Sequence, residues 1–503
     1  MTSLLAGRAW GTIISSTLVL TLALGPAPAQ AASLAASLAA SLAAAALPNT
    51  SDTAWMVLAT ILVLLMALPG LALFYGGLVR SKNAIATLTQ VFGVFCAVSV
   101  LWFACGYSIT FSSSSWVSFF GGLGKAFLIS VKPAAAVPTR ELGAAVPEYV
   151  YFAFQMTIAA LTPALIIGAF AERMRFQACI LFAMLWSLCV YIPITHMTWF
   201  GPGPDAIAEA ARAVLFASPG AARRQAEVVF AALQAESGLF VQWGTIDFAG
   251  GLVVHTSAGI AGLIGALVVG RRTGYGRDTM APHNLAMMMM GGALLWVGWI
   301  GLNAGSAFSA NGTAALAVVN SLLAAIAGAV AWLTIELGTE QKPTLIGVVS
   351  GMLCGLVAVT AAAGYAAPVG AFALGLVASP ACYWACTTLK HRYQYDDSLD
   401  VFGIHCVAGV LGTLAVAVLA SPDLGGTGIV SFAVRPGEAV VAPFNIVEQL
   451  KSQALAVLVV LGWSSYVSYR LYKLVDYLVG LRPSPEEETR GLDLTDHGER
   501  AYN

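Results

Sequence analysis

The chain has 503 residues, of which 58% are hydrophobic and only 10% charged, and its 24 Lys and Arg against 25 Asp and Glu leave a net charge of −1. A soluble protein carries about 25% charged residues, so this chain has too few charges for a water-solvated surface, and its apolar content excludes disorder. The near-neutral balance provides no basic field for nucleic acid, which leaves a polytopic all-α membrane protein.

At the N-terminus, Arg8 precedes an apolar run from Ile13 to Leu24, and Ala29-Gln30-Ala31 follows. A basic start, an apolar stretch and an A-x-A site predict a bacterial signal peptide over residues 1–31, the alternative being a retained first span. Residues 32–53 repeat Ser-Leu-Ala-Ala and predict a low-complexity segment outside the cytoplasm. Apolar stretches of about 20 residues then predict eleven spans over 54–75, 85–109, 149–171, 177–199, 248–270, 284–307, 313–336, 345–364, 368–389, 403–420 and 450–472.

The cations orient these spans. Arg80 and Lys82, then Arg173 and Arg175, then Arg271, Arg272 and Arg277, then Lys342, then Lys390 and Arg392 fall on alternate connections. Under the positive-inside rule those connections are cytoplasmic, so the N-terminus is expected outside and the C-terminus inside. An Ala/Glu/Arg-rich stretch at 201–246 is an outside insertion with the length of one helical hairpin, and residues 473–503 form a polar cytoplasmic tail. The membrane domain is thus 54–472. The eight cysteines lie in apolar runs with no CxxC pair, which suits small buried hydrophobes rather than a disulfide framework or a metal site.

Two histidines sit inside spans, where an ionisable side chain is costly and marks function. His255 and His405 share one context, H-x-x-A-G-x-x-G, and each follows an acidic Phe/Gly run, Asp247-Phe-Ala-Gly-Gly and Asp400-Val-Phe-Gly. The copies fall on the fifth and tenth spans, an odd step of five, so the halves are inverted. Inverted repeats place a substrate site where the halves meet, and the glycines allow close helix approach. The two imidazoles are therefore expected to meet in one lumen. Imidazole titrates near neutrality, and a neutral pair donates and accepts at once. This suits a proton relay or a hydrogen-bond track for a small polar molecule. At the outer end, Trp199 offers an aromatic face for a cation. Ser306, in Asn303-Ala-Gly-Ser306, offers an acceptor hydroxyl, and Asp247 opens the fifth span with negative field. That combination suits a small monovalent cation able to donate hydrogen bonds.

These motifs, with Gly-Ala-Phe-Ala-Glu-Arg-Met-Arg at 168–175 and the tail Gly-Leu-Asp-Leu-Thr-Asp-His-Gly-Glu-Arg-Ala-Tyr at 491–502, resemble the ammonium transporter family (Amt/Mep/Rh), closest to its bacterial Amt branch. The resemblance covers roughly 54–200 and 243–503. It implies a homotrimer in the bacterial inner membrane, each subunit with an inverted five-plus-five repeat, a last helix and its own pore, and with no cofactor, metal or enzymatic activity. It implies that Trp199, Ser306 and Phe154 bind ammonium outside, that Asp247 is a structural acid, and that His255 and His405 help ammonia and a proton across. Thr495 stands where some relatives are phosphorylated, and a PII-type signal protein is the partner implied at the cytoplasmic face. The family's two gate phenylalanines are replaced here by Ile158 and Leu302, which keep an apolar neck without ring quadrupoles. The alternatives are an ammonium sensor with little flux and, remotely, an intramembrane hydrolase built on Ser306.

Overall fold

The computed structural model describes residues 48–339, 342–433, 438 and 440–502. The signal peptide expected over 1–31, and most of the 32–53 segment, lie outside the described residues. Among the described residues, ten helices are long and apolar enough to cross a membrane: α1 (Thr50–Leu78), α2 (Ser81–Thr110), α3 (Glu148–Phe170), α4 (Phe176–Trp199), α5 (Gly251–Val269), α6 (Leu285–Gly305), α7 (Gly312–Gly338), α9 (Pro368–Tyr393), α10 (Phe402–Leu419) and α11 (Ile446–Val479). Between α7 and α9 lies a shorter apolar helix, α8 (Leu345–Thr360). The all-α polytopic reading holds, with a helix in each of the eleven expected places.

Helix starts follow local chemistry. The side chains of Asn49, Asn284, Asn311, Thr344 and Asn445 accept backbone N–H groups at the first turns of α1, α6, α7, α8 and α11, which satisfies donors that have no intrahelical partner. α11 is longer than the 450–472 expected. Its 34 residues span about 50 Å at 1.5 Å per residue, well beyond a hydrocarbon core of about 30 Å. The excess lies mostly beyond residue 472, because Tyr472 and Val475 remain buried and prolong the packed face.

Between α2 and α3, strands β1 (Ala136–Pro138) and β2 (Ala145–Pro147) pair antiparallel. The insertion forms the expected hairpin of two helices, Pro204–Phe216 and Ala221–Ala235. It is tied down by Gly143 N donating to Asp205 Oδ1 (2.8 Å) and by Gly238 N donating to the Phe200 carbonyl (2.9 Å).

The connections after α1, α3, α5 and α9 meet in a buried ion cluster. Glu172 accepts from Arg80 N (2.6 Å) and Nε (2.9 Å), and Arg272 reaches it at 3.3 Å. Arg272 also pairs with Asp396 (2.8 Å), whose carbonyl accepts from Arg173. The tail docks beside this cluster. Glu488 accepts from Thr273 N (2.6 Å) and pairs with Arg482 (2.6 Å), while Lys82 Nζ donates to the Glu488 and Thr489 carbonyls. Thr495 is part-buried in a short helix, Leu492–Asp496, and its hydroxyl donates to the Gly491 carbonyl (3.2 Å).

Candidate functional site

His255 and His405 come together as the repeat requires. Their Nδ1 atoms stand 3.3 Å apart and their rings are nearly parallel, with centroids at 5.3 Å. Both side chains are buried, at 1% and 6% exposure. Each sits in a π-helical turn at the start of its helix, Gly251–Thr256 in α5 and Phe402–Cys406 in α10. Such turns cost regular hydrogen bonds and concentrate at functional sites.

The two repeat glycines explain how the turns approach. A Cβ on Gly259 would lie 2.3 Å from Cys406 N, and one on Gly409 would lie 2.8 Å from the Gly251 carbonyl oxygen. Each glycine thus admits the histidine-bearing turn of the other half. The Ala-Gly in H-x-x-A-G-x-x-G is a reciprocal crossing, which fits the small-residue logic of helix packing in membranes.

The acids of the repeat require a correction. Sequence similarity pairs Asp247 with Asp400, but the structural counterpart is Asp397, eight residues before His405 as Asp247 is eight before His255. The Asp247 carboxylate accepts from four backbone N–H groups, those of Gly250, Gly251, Leu252 and Val253, at 2.8–2.9 Å. Asp397 accepts from Val401 N (3.1 Å) and Phe402 N (2.8 Å). Both cap the turn that carries a histidine. Asp400 instead has φ +58° and pairs with Lys390 at 2.7 Å. Because the Asp247 carboxylate is spent on backbone donors, its effect is chiefly positional.

Trp199 ends α4, and its indole N–H donates to the Asp247 carbonyl at 2.8 Å. Only the ring face remains for a ligand, the part that attracts cations. The Ser306 hydroxyl donates to the Leu302 carbonyl at 2.8 Å, which commits its hydrogen and leaves its oxygen as an acceptor. Phe154 is fully buried, and a Cβ on Gly305 would come within 2.8 Å of its ring. Glycine before Ser306 therefore lets α6 close on that ring. Ile158 and Leu302 are buried at 1% and 0% exposure, on α3 and α6.

Two participants escaped the sequence reading. Trp299 stacks on the His255 ring with centroids 5.1 Å apart, and its N–H donates to Thr360 Oγ1 (2.9 Å). Asp397 was hidden by the closer textual match of Asp400. The signal for it is the constant spacing to the histidine, which motif similarity overrode.

A model of the Ammonium Transporter Family matches residues 54–502. The chain is 38% identical to the ammonium transporter of Aquifex aeolicus over 90% of this chain and 94% of that protein. It is 37% identical to that of Bacillus subtilis, over 90% and 98%. Among solved structures it resembles a sensor Amt protein (TM-score 0.72, 26% identity, 89% of this chain and 98% of that one). It also resembles Saccharomyces cerevisiae Mep2 (TM-score 0.70, 27% identity, 88% and 89%). These matches span the membrane helices and the docked tail alike, and the chain belongs to the ammonium transporter family.

Proposed function

We propose that the chain captures ammonium at an outer site and passes ammonia and a proton along the histidine pair to the cytoplasm. The observation that carries this reading is the 3.3 Å Nδ1 contact between two buried histidines drawn from the two halves. One hydrogen shared between the Nδ1 atoms makes one ring a donor there and the other an acceptor. For two neutral rings, the first then has a bare Nε2 and the second an Nε2–H. The pair therefore offers one acceptor and one donor to a passing molecule, and His255 Nε2 has no partner among the described residues. Ammonia both donates and accepts, so it fits such a track. Uptake of a proton at the bare Nε2, passage of the shared hydrogen to the other Nδ1 and release of that ring's Nε2–H carry one proton along the line and leave the two neutral rings with their roles reversed.

At the outer end, the reading assigns capture to the Trp199 face, the Ser306 oxygen and the Phe154 ring. Ile158 and Leu302 form an apolar neck before His255, and Asp247 holds both the His255 turn and the Trp199 indole. Deprotonation at the neck follows from desolvation, since an apolar passage disfavours the charged form. The reading also includes a homotrimer with one pore per subunit, a bacterial inner-membrane location with the N-terminal side outside, and a tail acted on at Thr495 or by a PII-type partner. These rest on the family and on the charge pattern.

The test is ammonium-pulse current from the full chain in liposomes. A transient that saturates with ammonium supports the reading, and its absence in well-folded protein contradicts it. A sensing role with little flux is the second reading. It is favoured by Ile158 and Leu302, which lack ring faces for a cation, and by the similarity to a solved sensor Amt protein.

A further inference from the structure

Arg140 lies in the loop between β1 and β2 and reaches across the outer side of the molecule. Its Nη2 donates to the Phe248 carbonyl at 3.1 Å. The preceding carbonyl, that of Asp247, is the one that holds the Trp199 indole. The guanidinium and the proposed capture residue are therefore fixed to consecutive peptide units. The guanidinium carbon also stands 5.0 Å from the Phe248 ring centroid and 5.8 Å from that of Phe308. The Phe308 ring in turn meets Phe154 edge-on at 5.9 Å. A fixed cation thus occupies two aromatic faces, one ring away from Phe154. No ion pair offsets it among the described residues, and its buried Nε has no partner there. Of the acids near this loop, Glu141 is engaged with Asn311, Glu148 with Lys125 and Asp247 with its four backbone donors, while Asp205 holds Gly143 N through Oδ1 and makes no ion pair with Arg140.

We infer that Arg140 is a tethered guard cation that sets the ammonium concentration at which the outer site fills. The inference rests on the proposed capture site at Trp199, Ser306 and Phe154. A like charge about 10 Å from a bound cation weakens binding by roughly twofold in a water-like dielectric and roughly fifteenfold at an effective dielectric of about 20. Arginine suits the task because it stays charged and stacks on rings. A residue that only packed the loop would work as well without charge.

The test is the concentration dependence of ammonium-pulse current in liposomes for the unmodified chain, Arg140→Gln, Arg140→Met and Arg140→Lys, with Trp199→Leu in parallel. The two neutral variants should lower the half-saturating ammonium concentration by about two- to fifteenfold with the maximal current unchanged. Arg140→Lys should stay near the unmodified value, and the gap should narrow as salt is raised. An unchanged or higher half-saturating concentration in both neutral variants overturns the inference. So does a lysine variant that behaves like them, which would mean a packing role. Failure of the capture site is separable, because it appears as normal saturation in Trp199→Leu whatever the Arg140 variants do. If no current is measurable, ammonium titration of tryptophan fluorescence supplies the same comparison.

Discussion

Asp247 and Asp397 hold the same post in the two halves of the chain: each stands eight residues before a buried histidine and caps the π-helical turn that carries it. The caps differ in strength. Asp247 serves four backbone N–H groups and Asp397 serves two. An orphaned buried donor costs about 1–3 kcal/mol. Asp247→Ala should therefore destabilise the protein by several kcal/mol and abolish uptake, and Asp397→Ala should cost less. Asp247→Asn, which retains one acceptor oxygen, should fall between Asp247→Ala and the unmodified chain. Melting temperatures in detergent check this order. Equal melting of Asp247→Ala and the unmodified protein would remove the capping role.

The proposed neck gives a prediction specific to this chain. Ile158 and Leu302 provide apolar surface without the ring quadrupole that draws a cation. Replacing both with Phe should raise ammonium-driven current. Overpacking a filled core costs about 1–3 kcal/mol, and both positions are buried, so melting must be followed alongside. A stable double variant with unchanged or lower current would contradict the prediction. Potassium current through the unmodified chain would show a leaky neck instead.

The ion cluster beneath the membrane helices should make folding sensitive to acid. Burial alone would raise the Glu172 carboxyl, but Arg272 and Arg80 overcome it and hold the group below its ordinary value. Asp396 is held low in the same sense by Arg272 and Arg173 against burial. A depressed carboxyl contributes stability that is complete above the unfolded value, about 4.3 for Glu, and is lost as pH falls through the folded one. Melting temperature should thus fall with pH from about pH 5 downward. Glu172→Gln should melt lower at neutral pH and show a shallower acid decline. A decline parallel to that of the unmodified protein would remove Glu172 from this linkage.

Much of this arrangement is readable in the residues themselves. The meeting of His255 and His405 is legible because both their context and their spacing repeat. The hairpin at 201–246 is legible because Ala, Glu and Arg favour helix. The π-helical turns are not legible, since they arise from capping by Asp247 and Asp397 together with the reciprocal approach of Gly259 and Gly409. Trp299 is one of 12 tryptophans, and only the folded chain lays it on His255. The docked tail is equally remote from local pattern: Lys82 meets Glu488 across 406 residues, a partnership no local spacing encodes.

Trp199 and Ser306 should contribute unequally to capture. A cation–π contact is worth about 0.5–2 kcal/mol and a neutral hydrogen bond about 0.5–1.5 kcal/mol. The Trp199 N–H is already committed to Asp247, so Trp199→Leu removes both a ring face and a positional bond. It should raise the half-saturating ammonium concentration more than Ser306→Ala does, in concentration series on the two variants. The reverse order would shift the capture role toward the hydroxyl.

Under the proposed function, His255 and His405 act as one proton-sharing unit in ammonium transport. The most direct measurement is ammonium-pulse current in liposomes for the unmodified chain, His255→Leu, His405→Leu and the double variant, with folding checked by melting. A saturable current is expected in the unmodified chain, with loss of charge movement in each single variant and no further loss in the double. Persistent, saturable current in both single variants, at the same half-saturating concentration and without new potassium conductance, would contradict it.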